Sequence, residues 1–163
     1  MFWEVLGEYI WVFLISMVPI VELRGAIPIA EAMGLNPFIY FPVAIIGNML
    51  PVPIIFLFAR RVLEWGADKK ILGKPFTWIL KKGDKAGQKL MKKGPSGLFV
   101  GLMLFVGIPL PGTGAWTGAL IAITLGLDLK KSFLPIALGV LGAGVIIVTL
   151  FYFAPEAFKA LVG

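Results

Sequence analysis

PIVELRGAIPIAEAMG, Pro19 to Gly34, sets Glu22, Arg24, Glu31 and two prolines inside sequence that is otherwise apolar enough for a membrane interior. A second stretch, PGTGAWTGALIAITLG, Pro111 to Gly126, lies 92 positions further on and matches the first at Pro19/Pro111, Ala30/Ala122, Gly34/Gly126 and, one step beyond, Leu35/Leu127. Shared positions at one offset describe a duplicated unit.

Proline removes a helix hydrogen bond and its ring collides with the preceding turn, so Pro19 and Pro28 argue against one straight helix through residues 9 to 35. Two shorter helices fit better. Residues 3 to 18 would rise ~24 Å and residues 25 to 34 ~15 Å, against a hydrocarbon core of ~30 Å. Neither crosses alone, which predicts a re-entrant hairpin. Leu35-Asn36-Pro37 reads as a turn, and Phe38 to Leu63 supplies a full span with Asn48 in it and a kink near Pro51 and Pro53. Residues 97 to 127 repeat the theme: an apolar stretch too long for an upright span, split by Pro109-Leu-Pro-Gly-Thr-Gly. Ser132 to Phe153 is the second full span.

Composition sets the class. Of the 163 residues 59% are hydrophobic, and the mean hydropathy of +0.94 lies outside the soluble range. Long apolar runs without strand-like alternation predict an all-α integral membrane protein, because hydrocarbon leaves no backbone polar group a water partner. No cysteine and no histidine are present. Thiolate chemistry, metal sites with the usual ligands and histidine proton relays are therefore not expected, nor is any cofactor. Glu4 and Glu8 stand where a signal peptide carries basic residues, so the first helix reads as retained.

Between the two units, residues 64 to 96 hold nine lysines against Glu64, Asp68 and Asp84. The positive-inside rule puts this linker in the cytoplasm. Phe76, Ile79, Leu80, Leu90 and Met91 recur near helical spacing, so part of it reads as an amphipathic segment on anionic lipid, with Trp65 and Trp78 at headgroup depth; nucleic-acid binding is not expected. If residues 97 to 127 enter and return as a hairpin, Lys130 and Lys131 also fall inside, and the two units have opposite orientation. Four plain spans are the alternative. The expected architecture is a single membrane domain over 1–163: repeat 1 (3–63), basic linker (64–96), repeat 2 (97–153) and a short tail (154–163). Each repeat is a re-entrant hairpin followed by a transmembrane helix. The expected location is a prokaryotic cytoplasmic membrane, as a homodimer or larger assembly among membrane lipids.

Glu22 and Arg24 are the first candidates for a site, since an ionisable group at depth costs ~2.5 to 3.5 kcal/mol even on the lenient insertion scale. The bland alternative is that both sit at a helix end in the water interface. Each hairpin's second arm begins with free N–H groups and a positive dipole end. Thr113 reads as the N-cap of one arm and Glu22 of the other. With Gly112 and Gly114 at the second tip, two such ends beside Arg24 suit a phosphate or carboxylate. Glu22 is also the proton-coupling candidate, competing with the anion when ionised. Asn48, Thr117 and Glu31 are secondary polar candidates. Gly114, Gly118, Ala122 and Gly126, answered by Ala26, Ala30 and Gly34, form small-residue stripes that let helices approach closely.

ELRGAIP (Glu22 to Pro28), PLPGTGAW (Pro109 to Trp116) and the lysine-rich middle resemble the small multidrug export protein family. That family in turn resembles, more distantly, the DedA and VTT-domain membrane proteins. The second resemblance implies two re-entrant hairpins in inverted repeats and movement of lipid, with Glu22 and Arg24 in the place of that group's acidic and arginine residues. Three functions are therefore weighed: a transporter or flippase of an amphipathic anion such as a polyprenyl phosphate or phospholipid, a proton-coupled exporter of cationic drugs using Glu22, and a non-transporting scaffold. Nothing resembles a nucleophile with its base, so an enzyme is not expected.

Overall fold

A computed structural model describes residues 2–67, 92, 94–110, 113–154 and 156, and the regular structure among these is all helical. The helices are α1 (Phe2–Met17), α2 (Glu22–Ala32), α3 (Pro37–Met49), α4 (Pro51–Ala67), α5 (Pro95–Gly107), α6 (Ala115–Thr124) and α7 (Leu129–Phe153). Most of the basic linker, its amphipathic part included, and most of the tail lie outside the described residues.

The chain breaks ahead of Pro19 and Pro109, as expected, and not at Pro28. α1 stops at Met17, ahead of Pro19, and α5 stops at Gly107, ahead of Pro109. Pro28 instead sits inside α2, which begins at Glu22 and not at residue 25. A single proline removes one ladder bond, here the one to the Arg24 carbonyl, and a helix packed on several neighbours tolerates that loss. α3 and α4 follow one another through Leu50, which keeps right-handed helical angles, and Pro51 and Pro53 fall in the first turn of α4, where a missing N–H costs least.

Both halves close their second arm with the same device. Leu35 N–H bonds the Ala30 carbonyl (3.1 Å) and Gly34 N–H that of Glu31 (2.9 Å). Leu127 N–H bonds Ala122 (2.9 Å) and Gly126 N–H bonds Ile123 (2.9 Å). These are Schellman closures, each turning on a glycine at positive φ, +69° at Gly34 and +70° at Gly126, with Leu35 and Leu127 buried beneath. Ala30/Ala122, Gly34/Gly126 and Leu35/Leu127, matched at the offset of 92, are thus parts of one capping motif. Asn36 and Asp128, at the same offset, then stand as extended N-cap residues of α3 and α7. Asn36 Oδ1 accepts from Phe38 N–H at 3.0 Å, whereas Asp128 pairs with Lys131.

Packing repeats as well. α1 lies chiefly on α3 and α5 chiefly on α7, while α2 also reaches α7 and α6 reaches α4, so each second arm touches the long helix of the other half. The first-arm contacts turn on glycines 92 positions apart. A Cβ on Gly47 would meet Phe13 O at 2.6 Å and collide with Ser16 Oγ on α1; one on Gly139 would lie 2.7 Å from Met103 O and from Val106 Cβ on α5. Val12, Ile27, Tyr40, Ile136 and Ile147 fill the centre, all fully buried or nearly so.

Among the described residues two segments, Pro37–Ala59 and Leu129–Phe153, are long and apolar enough to cross a membrane, at 23 and 25 residues. At 1.5 Å per residue they rise ~34 Å and ~37 Å, whereas α2 and α6 rise only ~16 Å and ~15 Å. Large apolar side chains face outward over most of the surface, among them Trp11, Ile46, Phe58, Leu104 and Phe153. A folded chain in water does not present such a shell.

Glu31 lies at the far end of α2 from Glu22. It accepts from the buried Tyr40 hydroxyl on α3 and from Tyr152 on α7 (3.0 and 2.9 Å), tying three helices together. Hydrogen bonds to a charged partner contribute about 1.5 to 3 kcal/mol. Tyr40→Phe is therefore expected to lower stability by that order, and Tyr152→Phe, half exposed, by less. Thermal unfolding in detergent checks both; equal and negligible losses would remove the clasp from the list of stabilising contacts.

Candidate functional site

The tips of the two hairpins meet. In the first, Val18 to Val21 reverse the chain, with Ile20 (φ +76°) and Glu22 (φ +48°) in the left-handed region that side chains other than glycine's seldom occupy. In the second, α5 ends at Gly107, and Gly114 (φ +137°) stands before α6 as its N-cap. Any Cβ at Gly114 would fall on the Glu22 carboxylate. Glycine is needed there both for its backbone angle and for that approach.

Glu22 does not cap its own helix. Its carboxylate crosses to the other hairpin, where Oε1 accepts from Trp116 N–H at 3.2 Å in the first turn of α6, with Ala115 N–H also facing it. α2 itself starts after Val21 with no side-chain cap. Glu22 is 6% exposed and is the one charged side chain buried among the described residues. The positive end of α6 and the field of Arg24 offset part of its lost hydration.

Arg24 reaches across in the same direction. Its Nη2 donates to Thr113 O at 2.6 Å and to Thr113 Oγ1 at 2.9 Å. That hydroxyl is turned into its own loop: it donates to Ile108 O at 2.6 Å, with Leu110 O at 2.8 Å, and accepts from Leu110 N–H at 3.2 Å. Thr113 is therefore not the N-cap of α6, a correction with a simple cause: the loop's free carbonyls take its proton, and Arg24 takes its lone pair. Trp116 completes the exchange by donating Nε1–H to Met17 O, at the end of α1, at 3.0 Å. Glu22 and Gly114, and likewise Arg24 and Trp116, are the same positions of the two units at the offset of 92. The offset thus carried the signal for Trp116, which sequence reasoning had not placed in the site.

Behind this junction is a cavity of about 10 Å³, near the smallest that holds one water. Glu22, Arg24, Gly114, Ala115 and Asn48 line it, with apolar walls from Val106, Val140, Ala143 and Ile147. Asn48, 2% exposed in the middle of an apolar span, leaves Oδ1 without a hydrogen-bond partner among the described residues. A buried unpaired acceptor costs about 1 to 3 kcal/mol, so its place beside Glu22 and Arg24 marks a polar site.

Of the other candidates, Gly112 lies outside the described residues. Thr117 is half-buried on α6 and is not among the residues lining the cavity. Glu31 is engaged at the opposite end of α2. The small-residue stripe on α6 is not one continuous surface: Gly114 faces Glu22, Gly118 faces Val106 on α5 and Ile136 on α7, and Gly126 belongs to the closing turn. A stripe spaced by four on a ten-residue helix meets several neighbours because α6 is wedged among α4, α5 and α7. Among the described residues no three acidic, histidine or cysteine side chains gather as metal ligands.

The family described as "Putative small multi-drug export protein" matches residues 22–146. No curated protein and no solved structure matches the chain. The more distant likeness to DedA proteins has no counterpart in these comparisons.

Proposed function

The chain belongs to the small multi-drug export protein family, and from that premise we propose that it is a membrane exporter whose amphipathic substrate passes between the two hairpin tips, its polar head exchanging with the Glu22 carboxylate. The observation that carries this reading is the carboxylate of one hairpin seated on the helix start of the other, beside Arg24. When Glu22 withdraws, it leaves the Ala115 and Trp116 N–H groups, the dipole end of α6 and the guanidinium of Arg24. All of these favour an anion. The preferred substrate is therefore an amphipathic carboxylate or phosphate whose tail stays in lipid while its head crosses.

The cavity of about 10 Å³ is far too small for such a head, so the contacts described here belong to a closed state. In the accompanying topology the hairpins are re-entrant, the two halves are inverted, and the linker 64–96 faces the cytoplasm of a prokaryotic cell. Second arms that each touch the other half's long helix support a rocking of one half against the other around a fixed site. A second copy of the chain would widen the walls of the path.

A second reading rests on Glu22 being the one charged side chain buried among the described residues. A proton taken up there would free Arg24, and a cationic drug would use the carboxylate directly. Arg24 opposes that cation, which is why the anion reading stands first.

The test is reconstitution in liposomes with two fluorescent amphipaths of the same tail, one phosphate-headed and one quaternary-ammonium-headed. Faster leaflet exchange of the phosphate probe, lost in Arg24→Ala, is expected. Faster exchange of the cation, retained or raised in Arg24→Ala, would replace this reading with the second, and no exchange of either by folded protein would leave a scaffold.

A further inference from the structure

Away from the tips, α5 leaves two adjoining hollows on the outside of the bundle. One, of about 340 Å³, lies against α7, with Leu98, Phe99, Leu102 and Leu134 as walls and Lys130 and Lys131 at its edge. The other, of about 210 Å³, lies against α6 and shares Leu98, Leu102 and Leu127 with the first. It exists because Gly97 and Gly101 carry no side chain, and a Cβ on either would meet nothing within 4 Å. The result is an apolar groove that continues from a basic edge. Lys131 has an exposed partner in Asp128 at 3.7 Å, while Lys130 is exposed and has no acidic partner within 4.0 Å among the described residues. Lys92, also exposed, comes just before α5 in the sequence.

We infer that this groove is a binding site for an anionic phospholipid of the adjacent leaflet, with the phosphate at Lys130 and Lys131 and one acyl chain along Leu98, Leu102 and the open face of Gly97 and Gly101. The argument is one of complementarity. A long apolar trough with cationic groups at one end only matches a molecule with one anionic end and an apolar tail. The lysine stems extend the apolar wall while their ammonium groups stay at headgroup level. A second copy of the chain docked by the same face would bring Lys130 and Lys131 against their own counterparts, since a two-fold contact pairs a patch with itself. The site is separate from the tip junction and does not depend on what crosses there.

The test uses the full chain in mild detergent, with bound lipid counted by native mass spectrometry after addition of phosphatidylglycerol, phosphatidylcholine or inorganic phosphate. Wild type is expected to retain phosphatidylglycerol at least fivefold better than phosphatidylcholine and to hold inorganic phosphate only weakly. The Lys130→Ala/Lys131→Ala pair is expected to lose that preference. Gly101→Leu, which fills the groove and leaves every lysine in place, is expected to lose the lipid itself, with Gly97→Leu as a parallel probe should the first variant fold poorly. The lysines of residues 69–93 are unchanged throughout, so whatever they bind is common to all samples. Equal retention of the two lipids by wild type, or undiminished phosphatidylglycerol in the lysine pair, would overturn the proposal. A change of oligomeric mass in Gly101→Leu with lipid unaltered would do so too, in favour of a second copy.

Discussion

Glu22→Gln is expected to reduce transport at least tenfold while leaving a folded protein whose unfolding temperature falls by only a few degrees. Glutamine has the same shape, and its Oε1 still accepts from Trp116 N–H, so the start of α6 remains capped. What is lost is the charge that meets the α6 dipole and Arg24 and, in the reading proposed above, exchanges with the substrate head. Charge-assisted hydrogen bonds are about twice as strong as neutral ones, and a cap contributes about 0.5 to 2 kcal/mol, so a loss near 1 kcal/mol is the scale to expect. Glu22→Ala removes the cap as well and should cost more stability with the same loss of transport. If Glu22 and Arg24 act through each other's field, Glu22→Gln combined with Arg24→Gln should be less damaging than the two losses added. Wild-type transport by folded Glu22→Gln would end the proposal that this carboxylate takes part in the cycle.

The second large effect is structural. Gly139→Ala is expected to destabilise the protein by about 1 to 3 kcal/mol, the range for forcing volume into a filled contact. The new methyl would sit 2.7 Å from the Met103 carbonyl, which cannot yield unless α5 moves. Gly47→Ala faces the same difficulty against Phe13 O and Ser16 on α1, and Gly139→Leu should not fold. Gly142, three residues along the same helix, is the control, since a Cβ there meets nothing within 4 Å. Gly142→Ala should be neutral, or more stable by up to about 1 kcal/mol from helix propensity. In lipid, helices associate through close contact and not through exclusion of water, so a lost approach is not recovered elsewhere. Fractions folded after heating in detergent, read by size-exclusion chromatography, compare the variants. Equal survival of Gly139→Ala and Gly142→Ala would refute the argument.

Much of the fold was legible because its signals are local. Proline acts within one turn of chain, and Pro19 and Pro109 therefore announced the two breaks, whereas Gly34 and Gly126, read as packing positions, proved to close the second arms. Pro28 misled for the same reason: a local rule counts the lost hydrogen bond but not the neighbours that hold α2 in place.

The junction of the hairpin tips was legible in its members and not in its pairings. Glu22, Arg24, Thr113 and Gly114 stood out as polar or flexible positions in apolar sequence, and all four meet at the junction. Which helix Glu22 caps, where the Thr113 proton goes, and that Trp116 and Asn48 stand beside them was decided by the packing of α2 and α6 between the long helices. The sequence alone determined two short-short-long helical units and the residue types at their tips, since those follow from spacing and propensity within each unit. Only the tertiary structure decided that the tips exchange hydrogen bonds across about ninety residues of chain, because a contact at that separation depends on how whole helices rest on one another and not on any local preference.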